Sequence, residues 1–301
     1  MVQETGSVLV EMGFSKVRCD NSIWVYLRGE LRIIVPAFVD NLTLVGNDKS
    51  EIQNVKDELR KRFKLRDLGP ASFLLGVSIE RDRATRTLKL GQRRYVLDLL
   101  ERYGFSECSQ VQTPVSPDAR LDLTMSPATA AEKEEMRTVP YIHAVGSLMY
   151  LAISTRPDIA YVVGLLGRFS ANPGKAHWNA VKHLFRYLKG TLDMKLTYAP
   201  TESSSSERFV TYTDADHGGC KDTGRSTGAY VVKVGTGAVS WSSKIQSIVT
   251  LSTTEAEYVA AVSAGQEIMW LRNLFSEIGF APSGPSTLFV RLQRIRNTMD
   301  A

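Results

Sequence analysis

Two acidic segments carry the chain's clearest chemical signal. The first is Tyr212-Thr213-Asp214-Ala215-Asp216, and the second is Ser252-Thr253-Thr254-Glu255-Ala256-Glu257-Tyr258. Carboxylates at the end of an apolar run, with two more in a helix's first turn, can gather negative charge at one point. Hard divalent cations such as Mg²⁺ prefer carboxylate oxygens and leave room for water and substrate phosphates. Two such ions can activate water and stabilise a leaving oxygen in phosphodiester chemistry. Along a strand Asp214 and Asp216 share one side. Glu257 lies where a helix dipole favours negative charge. Ser252 and Glu255 form a capping box, which leaves Glu257 as the glutamate for the site. The stretch from Asp214 to Glu257 has room for three strands and their turns before a helix packs back on the first. These residues alone leave two readings open: a metal site, or turn-capping aspartates beside a dipole-friendly surface glutamate.

The elements that must position them follow from patterning. Phe209–Thr213 reads as a strand, Ala229–Val234 and Ala238–Trp241 as a hairpin across Gly235-Thr236-Gly237, and Ser247–Leu251 as a further strand. A long helix is expected from about Thr253 to Ile278, stopped by Gly279. Strands followed by a long helix make an α/β layered unit. Gly235 and Gly237 lie inside a hairpin, so they are turn residues and not a dinucleotide loop.

Upstream, Ile23–Leu27 and Leu31–Val39 read as strands joined at Arg28-Gly29-Glu30, and Leu42–Val45 pairs back around Asp40-Asn41. A helix from about Glu51 to Phe63 starts at a Ser50/Gln53 capping box and carries Lys56, Arg60, Lys61 and Arg62 on one face. Phe73–Glu80 and Thr87–Leu90 form a hairpin, and a helix near 93–103 ends at Gly104. Helices follow near 141–154, 158–169 and 175–188. Thr155-Arg156-Pro157-Asp158 reads as a helix start in which Thr155 caps and Asp158 complements the dipole. His143, His177 and His183 are structural, with Trp178, Val181, Phe185 and Leu188 on the core face. Residues 110–138 and the Ser-rich stretch 201–208 have linker composition.

The chain has 301 residues and is 43% hydrophobic, enough for one large or two medium domains. Its net charge of +5 permits a polyanionic partner without demonstrating one. Three separated cysteines make neither a disulfide framework nor a zinc site. Absence of a signal peptide and of a membrane-length apolar run leads us to expect a cytoplasmic or nuclear protein.

The ordered motifs resemble the Ty1/copia-type retrotransposon Pol polyproteins. Those of the polymerase half are Phe38-Val39-Asp40-Asn41, Asp67-Leu68-Gly69, Phe73-Leu74-Leu75-Gly76, the Gly146–Leu151 segment, Thr155–Ile159 and Tyr187–Thr191. Downstream, the Tyr212–Asp216, Arg225–Tyr230, Val239–Lys244 and Ser252–Tyr258 segments resemble the family's ribonuclease H domain. The resemblance implies an α/β (α+β) chain. Residues 1–110 would be the end of the reverse transcriptase palm and the thumb, 111–200 a mostly helical connection, 201–208 a linker, 209–290 a truncated ribonuclease H-like three-layer domain, and 291–301 a divergent tail. It implies Mg²⁺ or Mn²⁺ as cofactor, an RNA/DNA hybrid or other nucleic acid as partner, Asp214 and Glu257 as catalytic and metal-binding carboxylates, and Asp216 as a supporting or alternative ligand. Lys56, Arg60, Arg62, Arg93 and Arg94 would contact phosphates.

Several departures accompany the resemblance. The family's polymerase motif is Tyr-Val-Asp-Asp, so Asp40 is a catalytic remnant and Asn41 replaces its partner. The segment bearing the other polymerase aspartate precedes this motif in the family and would lie ahead of Met1, so DNA synthesis by this chain is not expected. The family's third ribonuclease H aspartate follows the strand 287–290, where this chain has Arg291; its positive charge opposes cation binding. His217 stands where the family has Trp and is expected to be buried or capping. Reduced or absent ribonuclease H activity is expected, the alternatives being a non-catalytic nucleic-acid-binding module or a degenerate product without function.

Overall fold

In the computed structural model, residues 2–200 and 209–290 are described; the expected linker 201–208 and tail 291–301 lie outside them. The architecture is mixed α/β, with three separate sheets and eight α-helices among the described residues. The chain divides into two compact units, one built from residues 2–71 and 266–286, the other from 72–200, 209–265 and 287–290. No helix among the described residues is long and apolar enough to cross a membrane, and all three cysteines are free thiols.

The first unit opens with α1 (Val2–Glu11), followed by β1 (Ser15–Lys16), β2 (Ile23–Arg28), β3 (Leu31–Phe38), β4 (Asn41–Leu42), β5 (Val45–Gly46) and α2 (Lys49–Arg62). The sheet runs β1-β2-β3-β4, with β5 also on β3, all antiparallel. Alternation along β3 buries Ile33 and Val35 against Leu9, Val55 and Leu59. The expected β2–β3 hairpin is present, with Gly29 at φ 58 supplying the left-handed turn. The start of α2 differs from expectation. Asp48, not Ser50, is the cap: its carboxylate accepts from the Ser50 and Glu51 amides, while Gln53 turns to Asp57. A carboxylate held by two amides satisfies the helix's orphan donors better than the Ser50/Gln53 box would.

The second unit holds β6 (Phe73–Leu74), β7 (Val77–Asp82), β8 (Thr87–Gly91), α3 (Arg93–Arg102), α4 (Ala130–Arg137), α5 (Tyr141–Ser154), α6 (Ala160–Gly167), α7 (Lys175–Gly190) and β9 (Leu196–Tyr198). Phe73–Glu80 is not one strand: Leu75 (φ 48) and Gly76 (φ 76) fold it into a tight turn whose Leu75 carbonyl accepts from the Tyr150 hydroxyl. The 110–138 stretch is no tether. Val111, Val115 and Leu121 pack on the helical core, and α4 starts at a capping box between Thr129 and Glu132.

That core joins α3, α5, α6 and α7 through Leu99, Leu148, Leu166, Val181, Phe185 and Leu188. Inside it Arg156 is only 3% exposed. Its guanidinium meets Asp158 at 2.9 Å and 2.7 Å, and also donates to the Thr191 carbonyl and hydroxyl. The Tyr187 hydroxyl completes the Asp158 shell at 2.9 Å. Asp158 therefore serves the arginine, and Thr155 does not cap the next helix: its hydroxyl donates to the buried Gln92 side chain.

His177 is buried and stacked on Phe169 at 3.9 Å. Its Nδ1 accepts from the Gly174 amide, so Nε2 carries the proton and donates to the Asp122 carbonyl. His183 reaches the Thr113 carbonyl, whereas His143 is exposed.

The remaining elements are β10 (Phe209–Ala215), β11 (Thr227–Val234), β12 (Gly237–Ile245), α8 (Thr253–Glu277) and β13 (Thr287–Val290). The sheet order is β12-β11-β10-β13, antiparallel except for the β10–β13 pair. Ser247–Leu251 is not a strand; Ile248, Val249 and Leu251 are exposed and the segment bends directly into α8.

Two outcomes are expected. Arg156→Ala leaves Asp158 partly buried without its cation and lowers unfolding free energy by about 3–5 kcal/mol, measured by urea denaturation. Burial holds the His177 pKa below its ordinary 6.5. Folding thus favours the neutral ring, and its contribution is complete above 6.5 and lost as pH falls through the depressed value. The melting temperature of the native chain therefore drops between about pH 7 and about pH 5, and His177→Gln flattens that drop.

Candidate metal site

Alternation along β10 buries Phe209, Thr211 and Thr213 and leaves Tyr212 and Asp214 exposed. The strand ends in a bracket of two bonds between Asp216 and Thr227: the Asp216 N–H donates to the Thr227 carbonyl, and the Thr227 N–H donates to the Asp216 carboxylate at 2.5 Å. A Cβ at Gly219 would lie 2.1 Å from that carboxylate. Asp216 is thus already engaged in shaping the turn, while Asp214 stands at the strand's open end.

The turn itself is closed by Ser226, whose buried hydroxyl accepts from the Gly218 amide and bonds Thr250. Arg225 and Asp222 lie in it, with Asp222 held by Arg168 at 3.1 Å and by the Leu123 amide. His217 is exposed and neither buried nor a cap; its Nε2 sits 3.3 Å from the Thr250 carbonyl, tying the turn to the approach of α8.

On α8, Ser252 accepts from the Glu255 amide and Glu255 accepts from the Leu251 amide, a capping box displaced by one residue. Glu255 is spent there, as expected, and Glu257 is 6% exposed. The helix approaches the sheet closely because it presents Ala256, Ala260 and Ala264 to it, all buried. At β11 the matching residue is Gly228, where a Cβ would meet the Ala260 Cβ at 3.2 Å. The Gln246 amide donates to the Ala256 carbonyl and pins the helix's first turn.

Asp214, Asp216 and Glu257 line a single open cavity of ≈ 480 Å³, together with His217, Thr253 and Tyr161. The acidic residues singled out in the sequence are therefore brought together. Among the described residues no three His, Cys, Asp or Glu side chains stand close enough to hold a metal ion. The donor chemistry suits a hard cation: two carboxylates facing one solvent-open cavity leave coordination places for water and phosphate. Tyr161 was invisible to sequence reasoning, since nothing in the pattern of α6 distinguishes an exposed helix residue from one that reaches a distant strand end.

The polymerase-motif residues lie elsewhere, in the first unit. Val39 and Asp40 form the exposed two-residue turn between β3 and β4, with Val39 at φ 53. A β-branched residue in that region is strained. Of the expected phosphate contacts, Lys56 and Arg60 bond Asp67, Arg62 bonds Glu11, and Arg93 bonds Asp193. Arg94 is exposed. Asp67 is held below the usual carboxylate range first by the Gly69 amide and then by Lys56.

Comparison with known proteins decides the ancestry. A family model described as reverse transcriptase (RNA-dependent DNA polymerase) matches residues 2–117. The Pol polyprotein of transposon TNT 1-94 from Nicotiana tabacum is 44% identical over 82% of this chain and 18% of its own length. The chain belongs to the Ty1/copia-type retrotransposon Pol polyproteins. Those of transposons RE1 and RE2 from Arabidopsis thaliana are 36% and 35% identical, each over 95% of this chain and 19% of the relative. The chain thus spans less than a fifth of these polyproteins, in a portion that includes reverse transcriptase sequence. No solved structure matches it.

The close helix–sheet approach makes its own prediction. Gly228→Val pushes α8 from β11 and costs about 1–3 kcal/mol in urea unfolding, whereas the same change at half-buried Gly265, where an added Cβ meets nothing within 4 Å, costs less.

Proposed function

We propose that residues 209–290 form a ribonuclease H-like nuclease site that hydrolyses the RNA strand of an RNA/DNA hybrid, with Mg²⁺ or Mn²⁺ held by Asp214 and Glu257. The observation that carries this reading is the convergence of a strand-end aspartate and a glutamate near the start of α8 on one solvent-open cavity. When bound, the cation would lower the pKa of a coordinated water and offset charge on the leaving oxygen. Asp214 supplies an exposed carboxylate at the strand end, and Glu257 a buried one on α8. Asp216 supports them by holding the turn through Thr227. Membership in the Pol family and the order of the motifs make nucleic acid the substrate class.

The same reading assigns the chain's regions. Residues 1–110 are the end of the palm and the thumb, 111–200 the connection, and 209–290 the nuclease domain, in a protein of the cytoplasm or nucleus. The polymerase motif is inactive here: an exposed turn with Asp40 followed by Asn41 offers one carboxylate where two would share a metal, and an amide carbonyl binds a hard cation more weakly. Nuclease activity is weak for a related reason: the sequence has Arg291 after β13 where the resemblance implies the third aspartate, so one carboxylate fewer is available to a cation.

The test is incubation of the purified chain with a labelled RNA/DNA hybrid and Mn²⁺ or Mg²⁺. Slow cleavage of the RNA strand is expected, and Asp214→Asn or Glu257→Gln lowers it by about 100-fold or more, since even outer-shell changes at metal sites cost about 10–100-fold. Equal cleavage by native and variant chains, or none by the native chain, refutes the reading. Arg291→Asp is expected to raise the rate.

A further inference from the structure

We propose that Tyr161, on helix α6 of the 111–200 region, is a positioning residue for nucleic acid at the acidic cavity, where its ring packs against the sugar–base face of a nucleotide next to the phosphate being cut. The proposal rests on the nuclease reading of that cavity and adds a wall that the 209–290 segment does not itself supply.

Three observations support it. Tyr161 lines the same cavity as Asp214 and Glu257. It is 47% exposed, although its helix neighbours Val162 and Val163 are buried, so the ring is not consumed by the core. Among the described residues its hydroxyl has no hydrogen-bond partner. A half-exposed aromatic ring beside two carboxylates offers a substrate something the carboxylates cannot: a flat apolar surface for a base or sugar, while cations and phosphates occupy the acidic side. In a hybrid duplex the bases stay stacked on one another, so the ring meets the sugars along the groove, a surface that is the same for every sequence, as a nuclease of hybrids requires.

The helix that carries the ring is also held in place. The Arg156–Asp158–Tyr187–Thr191 network sets the start of α6 only a few residues before Tyr161. Further along, a Cβ at Gly164 would stand 3.4 Å from the Ser243 carbonyl of β12, so the helix lies directly on that strand. The Trp241 indole donates to the Ala152 carbonyl at the end of α5, 2.7 Å away. A side chain carried by so constrained a helix presents its surface without an ordering cost when substrate arrives.

The experiment measures both cleavage and binding of an RNA/DNA hybrid by the full chain, with binding read by fluorescence anisotropy in Ca²⁺. Tyr161→Ala is expected to raise KM and the hybrid Kd about tenfold with kcat within about twofold, and Tyr161→Phe to restore both. Unchanged KM and Kd in Tyr161→Ala overturn the proposal, as does a loss confined to kcat. A loss in Tyr161→Phe as large as in Tyr161→Ala overturns ring packing in favour of a hydroxyl contact. If the native chain binds hybrid but cuts nothing, the nuclease reading fails alone, and a raised Kd in Tyr161→Ala still supports the contact. Unchanged melting temperatures in both variants separate these effects from misfolding.

Discussion

The buried guanidinium of Arg156 is the constraint on which the larger unit depends. A cation removed from water costs several kcal/mol unless its donors are all matched. Here Asp158 takes two of the five N–H groups and Thr191 two more, with Tyr187 closing the carboxylate's remaining side. The network ties the end of α7 to the turn between α5 and α6, so three helices share one polar joint inside an apolar core. Two motifs far apart in sequence, Thr155–Ile159 and Tyr187–Thr191, thereby turn out to be one structural object. A Met or Leu in place of Arg156 could fill the volume but could not specify that joint.

From this joint the chain of positioning runs outward. With α5 and α6 fixed, the Ala152 carbonyl and the flat side of Gly164 receive β12 through Trp241 and Ser243. β12 sets β11, and β11 sets β10, whose open end carries Asp214. From the other side, Gly228 and the alanine stripe of α8 let the helix approach closely enough for Glu257 to be buried at the cavity wall. Small residues do this work because a helix on a sheet is spaced by its interface side chains. The acidic cavity is therefore the last product of packing that begins in the helical segment.

Much of this was legible in the sequence, for identifiable reasons. Strong period-two runs such as Ile23–Leu27 and Leu31–Val39, and capping residues at Ser252, Glu255 and Gly279, are local signals, and the structure follows them closely. Ser247–Leu251 misled because β-branched residues favour strands only where a neighbouring strand accepts their bonds. The segment instead spends itself on the turn of α8, with Thr250 serving His217 and Ser226. The 110–138 stretch misled in the opposite direction: a Pro- and Ser-rich composition describes chain stiffness, not whether three apolar residues find a core. Ser50 lost the cap to Asp48 since a charged acceptor bonds two amides at once. Tyr161 could not be read at all, because only the tertiary fold brings α6 to β10.

The basic residues show how charge and function need not coincide in a folded surface. Lys56, Arg60, Arg62 and Arg93 each bond a carboxylate, which lowers the positive potential that a count of cations implies. Solvent screens such exposed pairs, so they contribute little to stability. A phosphate that meets an arginine bidentately gains more than that and also releases counterions. Any anion that met one of these cations would first have to outcompete the carboxylate already bonded to it. Lys56 and Arg60 share Asp67, whose carboxylate the Gly69 amide also holds, so three donors converge on one acceptor and both cations are tied to the turn that follows α2.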